Sequence, residues 1–195
     1  MWPNSKIKSS VFDINFDDLI TGDRIASLCD FVLTTSEIYN FHKNLENFTK
    51  EIIIIKDFNN IKIDLLNSYF TDHCKKNKTN IVKLFLYTHI VELFTQYILP
   101  FLNNEIKYVL YIHNSDHSFG EEYNRLINSD IIEKIYTQNV DVDVKNNKIT
   151  LLPIGIANSM WKHGNLLELY SVMSSIYKFN KVDSIYVNIN PNTYS

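Results

Sequence analysis

The sequence predicts an α/β fold of Rossmann type, a mostly parallel sheet with helices on both faces. Three observations predict it. Short apolar runs rich in Ile, Val and Leu alternate with longer amphipathic stretches, the pattern of repeated βαβ units. The runs are apolar throughout rather than alternating, as strands covered on both sides are. Polar residues gather just after the runs, at Thr88-His89, His113–Asp116, Gln138-Asn139 and Pro153–Asn158. Ligands of open parallel sheets bind at that carboxyl edge, so the four clusters are expected to meet in one crevice.

Taken in order, Thr21 precedes a helical pattern (Ile25, Leu28, Cys29) and is the expected N-cap. Phe31-Val32-Leu33 reads as a buried strand. Ile38, Phe41, Leu45 and Phe48 then recur at helical spacing. Ile52–Ile55, four isoleucines bounded by charge, is expected to be a strand buried on both faces. Ile61, Leu65, Leu66, Tyr69 and Phe70 form a helical stripe that runs into the solvated stretch Lys75–Lys78. The run from Ile81 to His89 is apolar until Thr88. The helix after it carries Phe94, Tyr97, Ile98 and Phe101 and should end or kink at Pro100. Tyr108–Ile112 is a strand. Ser118 with Glu121 matches a capping box, ahead of the stripe Phe119, Tyr123, Leu126 and Ile127. Ile131–Tyr136 is a fifth strand and the stretch opening at Lys148 a sixth, short and buried through Ile149, Leu151 and Leu152. Asn165 with Glu168 caps a helix striped by Leu166, Leu169, Tyr170, Met173, Ile176 and Tyr177. Ile185, Val187 and Ile189 mark a final strand within Ser184–Asn190.

Composition bounds the function. The chain has 195 residues, enough for one full core, with 45% hydrophobic and 21% charged residues, as in an ordinary globular protein. A net charge of -3 gives no reason to expect nucleic acid as a partner. Two cysteines, Cys29 and Cys74, write neither a disulfide framework nor a zinc site. No secretory leader and no membrane span is apparent, so a cytoplasmic location is expected. The 17 lysines against two arginines, with abundant Ile and Asn, point to AT-rich codons and hence to an AT-rich source such as a large DNA virus or a parasite.

The stretch from Lys148 to Asn165 is the densest in candidate binding groups, with Gly155, Gly164, Asn158, Trp161 and His163 in one loop. Glycine lets such a loop pass close to a ligand. Trp161 and His163 can stack on and hydrogen-bond a sugar or base ring, or serve packing. Asp116 at a strand end can deprotonate a hydroxyl, or can cap the following helix. His113 and His117 with Asp116 make a weak metal set, because i,i+4 histidines share a face only on a helix. Asp141-Val142-Asp143 matches a DxD divalent-ion pattern and equally a solvated turn. GxGxxG, GxxxxGK[ST] and GxSxG are absent, which argues against a dinucleotide site, a P-loop and a serine-hydrolase elbow.

Tyr111–Asp116 (YIHNSD), Thr137–Asp141 (TQNVD) and above all Leu152–Asn165 (LPIGIANSMWKHGN) resemble the exostosin-like glycosyltransferases, with the greatest likeness to versions encoded by giant viruses. The resemblance runs from about Thr21 to the end. It implies a GT-B fold of two Rossmann domains, with residues 1–181 as the N-terminal, acceptor-side domain. Residues 182–195, with Ile185–Thr193, look like the first strand of a second domain whose remainder is absent. It further implies sugar transfer from a nucleotide-sugar to a hydroxyl acceptor, with the donor bound only when a second domain is present and with no metal or other cofactor. Asp116 is the expected base and His113 the second candidate. Asn114, Gln138, Asn139, Gly155, Asn158, Trp161 and His163 are the expected substrate-binding residues. A viral origin would place the protein in host cytoplasm or virion. Two other readings compete: a non-catalytic carbohydrate- or partner-binding module built on the same half-fold, and a metal-dependent GT-A-type transferase using Asp141 and Asp143.

Overall fold

Strand-forming β-branched and aromatic runs lie between helices with one apolar stripe, and each stripe must be buried against a sheet face. The computed structural model describes residues 6–8, 13–15, 20–42, 51–114, 116–141, 146–158, 161, 164–165, 168 and 171. It is an α/β structure whose main sheet has six strands, all parallel, flanked by helices in a Rossmann-like arrangement. A separate antiparallel ribbon, β1 (Lys6–Lys8) with β2 (Asp13–Asn15), was not expected from the sequence.

The main sheet holds β3 (Phe31–Thr35), β4 (Ile52–Ile55), β5 (Ile81–Tyr87), β6 (Lys107–His113), β7 (Ile132–Thr137) and β8 (Ile149–Leu151) in the order β4-β3-β5-β6-β7-β8. After β3 the chain first builds outward to β4. It then returns to the other side of β3 for β5, and from there every strand adds in one direction. The boundary between β3 and β5 is therefore the point where the winding reverses and the connections leave a crevice.

Helices α1 (Gly22–Ser27), α2 (Ser36–Phe41), α3 (Ile63–Asn77), α4 (Val91–Tyr97) and α5 (Asn124–Ile127) alternate with these strands. Thr21 caps α1 as expected, its hydroxyl accepting from the Arg24 amide at 3.0 Å. In α3, Leu66, Phe70 and Cys74 recur every four residues and are buried. Phe70 meets Phe31 and Tyr108 edge-on, with ring centroids 5.0 and 5.7 Å apart. Pro100 lies in the 3-10 turn Leu99–Phe101 that ends the α4 segment, as its missing N–H requires. The period-two geometry of the strands sorts their side chains between the two faces. Val82, Leu84 and Leu86 of β5 enter the large core with α3, α4 and α5, whereas Phe85 and Tyr87 join Ile25, Ala26 and Cys29 of the α1 side.

Three local expectations are corrected. Ile52–Ile55 is not buried on both faces: β4 is an edge strand, and of the four only Ile55 is buried. β8 is the opposite edge, so its three residues are at most half-buried and Leu151 is 64% exposed. The Ser118–Glu121 capping box does not form. Glu121–Tyr123 is a 3-10 turn entered from Gly120, and Glu122 supplies the carboxylate that accepts from the Gly120 amide at 3.2 Å. Only the first turns of the expected helix over Ile38–Phe48 are described, as α2. The helix after Asn165 is represented by its cap, where the Glu168 amide donates to Asn165 Oδ1 at 3.4 Å. The final strand Ser184–Asn190 and the domain boundary at 181 lie outside the described residues. No described helix is long and apolar enough to cross a membrane.

Candidate functional site

Parallel strands point their carboxyl ends the same way, so the residues following β3, β5, β6, β7 and β8 share one rim. A cavity of about 760 Å³ opens there, at the winding reversal between β3 and β5. That volume falls in the range of small-molecule sites. All four expected polar clusters reach it: His89 from the first, His113, Asn114 and Asp116 from the second, Gln138 from the third, and Ile154, Ile156, Ala157 and Asn158 from the fourth.

Asn114 sits at the centre of the floor. Its backbone leaves β6 in the left-handed region (φ 65°), which asparagine tolerates better than most residues. Its amide donates to Gln138 Oε1 at 3.3 Å, joining the ends of β6 and β7. Its carboxamide lies 3.0 Å from His113 Nδ1, while His113 Nε2 lies 3.2 Å from the Pro153 carbonyl. A carbonyl only accepts, so Nε2 carries the proton. His113 is buried with both nitrogens engaged, a fastening between β6 and the loop after β8 rather than a free base.

Asp116 stands exposed on the rim. Asn139 takes φ 52° and its carbonyl accepts from the Phe119 amide at 2.9 Å, so it shapes the turn after β7 without lining the cavity. Gly155 is likewise off the wall. At φ 75° it passes against the Ile20 carbonyl, where a β-carbon would collide. The next residue, Ile156, donates its amide to that same carbonyl at 2.8 Å and bridges Thr21 in parallel register. Asn158 Oδ1 accepts from the Asp23 amide at 3.1 Å. Together these contacts strap the loop after β8 onto the start of α1. Trp161, 46% exposed, meets Phe41 edge-on with centroids 5.6 Å apart at the cavity mouth. His163 lies outside the described residues, as does Asp143. Asp141 packs beside Gly120, away from the cavity, and His117 meets His89 edge-on at 5.2 Å. Among the described residues no group of three or more His, Cys, Asp or Glu could hold a metal ion.

The sequence reading missed a second set of polar groups on this wall. His42, at the end of α2, is buried with Nδ1 2.8 Å from the Tyr87 hydroxyl and Nε2 2.7 Å from Asp23 Oδ1. The Asp23 oxygen lies off the direction in which an Nε2–H would point, so the contact is close without being well aligned. Burial pushes the Tyr87 phenol well above its ordinary range, and the Asp23 charge adds to this, while the Asn114 carboxamide beside it partly offsets both. A continuous polar chain therefore runs along the floor from Asp23 through His42, Tyr87, Asn114 and His113 to Pro153. Signals existed in the sequence: an acidic residue in the first turn behind the Thr21 cap, and a tyrosine as the last strand residue before Thr88-His89. His42 had none, because its partners are 19 and 45 positions away.

The wall has a clear chemical character. Glu37 and Asp116 are acidic, the amides of Asn114, Gln138 and Asn158 both donate and accept, and no lysine or arginine lines it among the described residues. An alcohol finds partners here, and a phosphate finds no lysine or arginine among the described residues. Comparison of the chain with protein-family models, with curated proteins and with solved structures finds no match in any of the three.

Proposed function

We propose that this chain is the acceptor-side domain of an exostosin-like GT-B glycosyltransferase, holding a glycan whose hydroxyl receives sugar from a nucleotide-sugar bound by a second domain. One observation carries the reading. A crevice at the winding reversal of a parallel sheet combines carboxylates and carboxamides with an exposed aromatic pair, Phe41 and Trp161, and has no lysine or arginine on its described walls. Carboxylates and amides match sugar hydroxyls, aromatic faces match the apolar C–H face of a pyranose, and the lack of lysine and arginine among the described lining residues disfavours a diphosphate. In this reading Asp116, Glu37, Asn114, Gln138 and Asn158 orient the acceptor, and Asp116 is the base expected from the sequence.

Titration with a panel of neutral oligosaccharides, followed by Trp161 fluorescence and by heat, tests it. Saturable binding of at least one oligosaccharide is expected, with UDP- and GDP-sugars leaving the signal unchanged. Binding of the nucleotide-sugars alone would overturn the acceptor-side assignment. A second reading, a carbohydrate-binding module without catalysis, is favoured by His113, which has no ring nitrogen left for a substrate. Incubating the chain with its best oligosaccharide and with UDP- and GDP-sugars, with and without a candidate donor domain, separates the two. Mass spectrometry finds an extended glycan only if the chain belongs to a transferase.

A further inference from the structure

We infer that Asp23, His42 and Tyr87 form a proton relay in the crevice wall, a tyrosine hydroxyl with its own buried base, which takes the proton from an alcohol of the bound ligand. The arrangement has the three parts such a device needs: a hydroxyl, a base within hydrogen-bond reach of it, and a carboxylate behind the base. Tyr87 and His42 line the cavity, and the two contacts are 2.8 and 2.7 Å. All three residues are at least nine-tenths buried, so bulk water does not compete for these contacts. With the His42 proton on Nε2, the nitrogen 2.7 Å from Asp23 Oδ1, Nδ1 presents its lone pair to the phenol, which donates to it. The phenolic oxygen keeps two lone pairs, so beside the Asn114 carboxamide it can still accept from a ligand hydroxyl.

The step balances as follows. The ligand O–H bond breaks and its proton passes to Tyr87 Oη as the Tyr87 proton passes to His42 Nδ1. The resulting imidazolium is held against the Asp23 carboxylate. The electron pair on the ligand oxygen forms the new bond to the anomeric carbon of a nucleoside-diphosphate sugar, from which the nucleoside diphosphate departs. Burial and the Asp23 charge both oppose a free phenolate, so the two transfers have to be concerted. This inference takes its ligand from the sugar reading. Within that reading Tyr87, rather than the exposed Asp116, receives the proton. His42 acts through Tyr87, and Asp23 acts through His42.

The test needs no turnover. Benzenesulfonyl fluoride modifies a tyrosine by forming an O–S bond and expelling fluoride, and it requires a base to take the phenol proton. Of the twelve tyrosines, Tyr87 is expected to react fastest by peptide mass spectrometry on the full chain, ahead of Tyr69, which is 49% exposed. Tyr87→Phe should erase the adduct. His42→Gln and the isosteric Asp23→Asn should slow it by about a hundredfold and to a lesser extent, respectively, in whichever variant keeps its far-UV circular dichroism. Wild-type Tyr87 reacting no faster than Tyr69, or at an unchanged rate in a folded His42→Gln chain, would overturn the relay. Fast, His42-dependent labelling without oligosaccharide binding would sink the sugar reading and leave the relay. Oligosaccharide binding with slow labelling would do the reverse.

Discussion

Replacing Gly22 with alanine tests the packing of the crevice floor through the sign of a stability change. Gly22 opens α1 and is buried against the Asn114 carboxamide, on which an added β-carbon would fall. In a helix, Gly→Ala ordinarily stabilises by about 0.4–1 kcal/mol, because the unfolded chain loses freedom. Here the carboxamide must rotate away, breaking its 3.0 Å contact with His113 Nδ1. Stranding one buried hydrogen-bonding group costs about 1–3 kcal/mol. Taken at the middle of each range, the difference is a net destabilisation of about 1.3 kcal/mol, opposite in sign to the ordinary outcome. With a urea slope of about 2 kcal/mol/M, the midpoint falls by roughly 0.5–1 M. Asn114→Gly removes the obstructing side chain and suits φ 65°, so the double variant should be more stable than the two single changes add up to. A Gly22→Ala chain as stable as wild type, or additive changes in the cycle, would refute the contact and with it the placement of Asn114 against α1.

Other outcomes follow from single features. Phe70→Ala, at a fully buried ring touching Phe31 and Tyr108, should cost about 3–5 kcal/mol in urea unfolding. Trp161→Ala should change stability by less than about 0.5 kcal/mol yet weaken oligosaccharide binding about tenfold by calorimetry. Asp116→Asn should weaken the same binding while leaving the rate of Tyr87 sulfonylation unchanged. Burial pushes the Cys29 thiol and the Tyr108 phenol up, as it does Tyr87, from ordinary values of 9.0 and 10.0. The folded chain therefore keeps protons that the unfolded chain releases. Stability should be fully present below about pH 8 and fall as pH rises through the ordinary thiol and phenol range, measured by urea midpoints at neutral and alkaline pH.

How much was legible beforehand depended on whether the deciding contact was local. The strands, the Thr21 cap, the stop at Pro100 and the meeting of His113, Asn114, Asp116, Gln138 and Asn158 at one rim all follow from apolar runs and from parallel strands sharing a direction. Ile52–Ile55 shows the limit: composition gives a strand, but its place at the sheet edge depends on winding order, which no local pattern encodes. Ser118 misled because Glu122, one residue beyond the capping-box position, captured the Gly120 amide instead. His113 looked like a base because its tethers, Asn114 and Pro153, are visible only once β6 and the loop after β8 are side by side. The Asp23–His42–Tyr87 set was illegible for the same reason, since its members come from three separate elements.

The strap between Ile20–Asp23 and Ile156–Asn158 has a thermodynamic consequence. It joins segments 135 residues apart, Asp23 with Asn158, so this wall of the cavity is not assembled in any fragment that lacks either end. Affinity is then an all-or-none reporter of completed folding. A cognate sugar at a hundredfold excess over its Kd should raise global stability by the full linkage value, about 2.7 kcal/mol, with no partly folded species sharing the ligand.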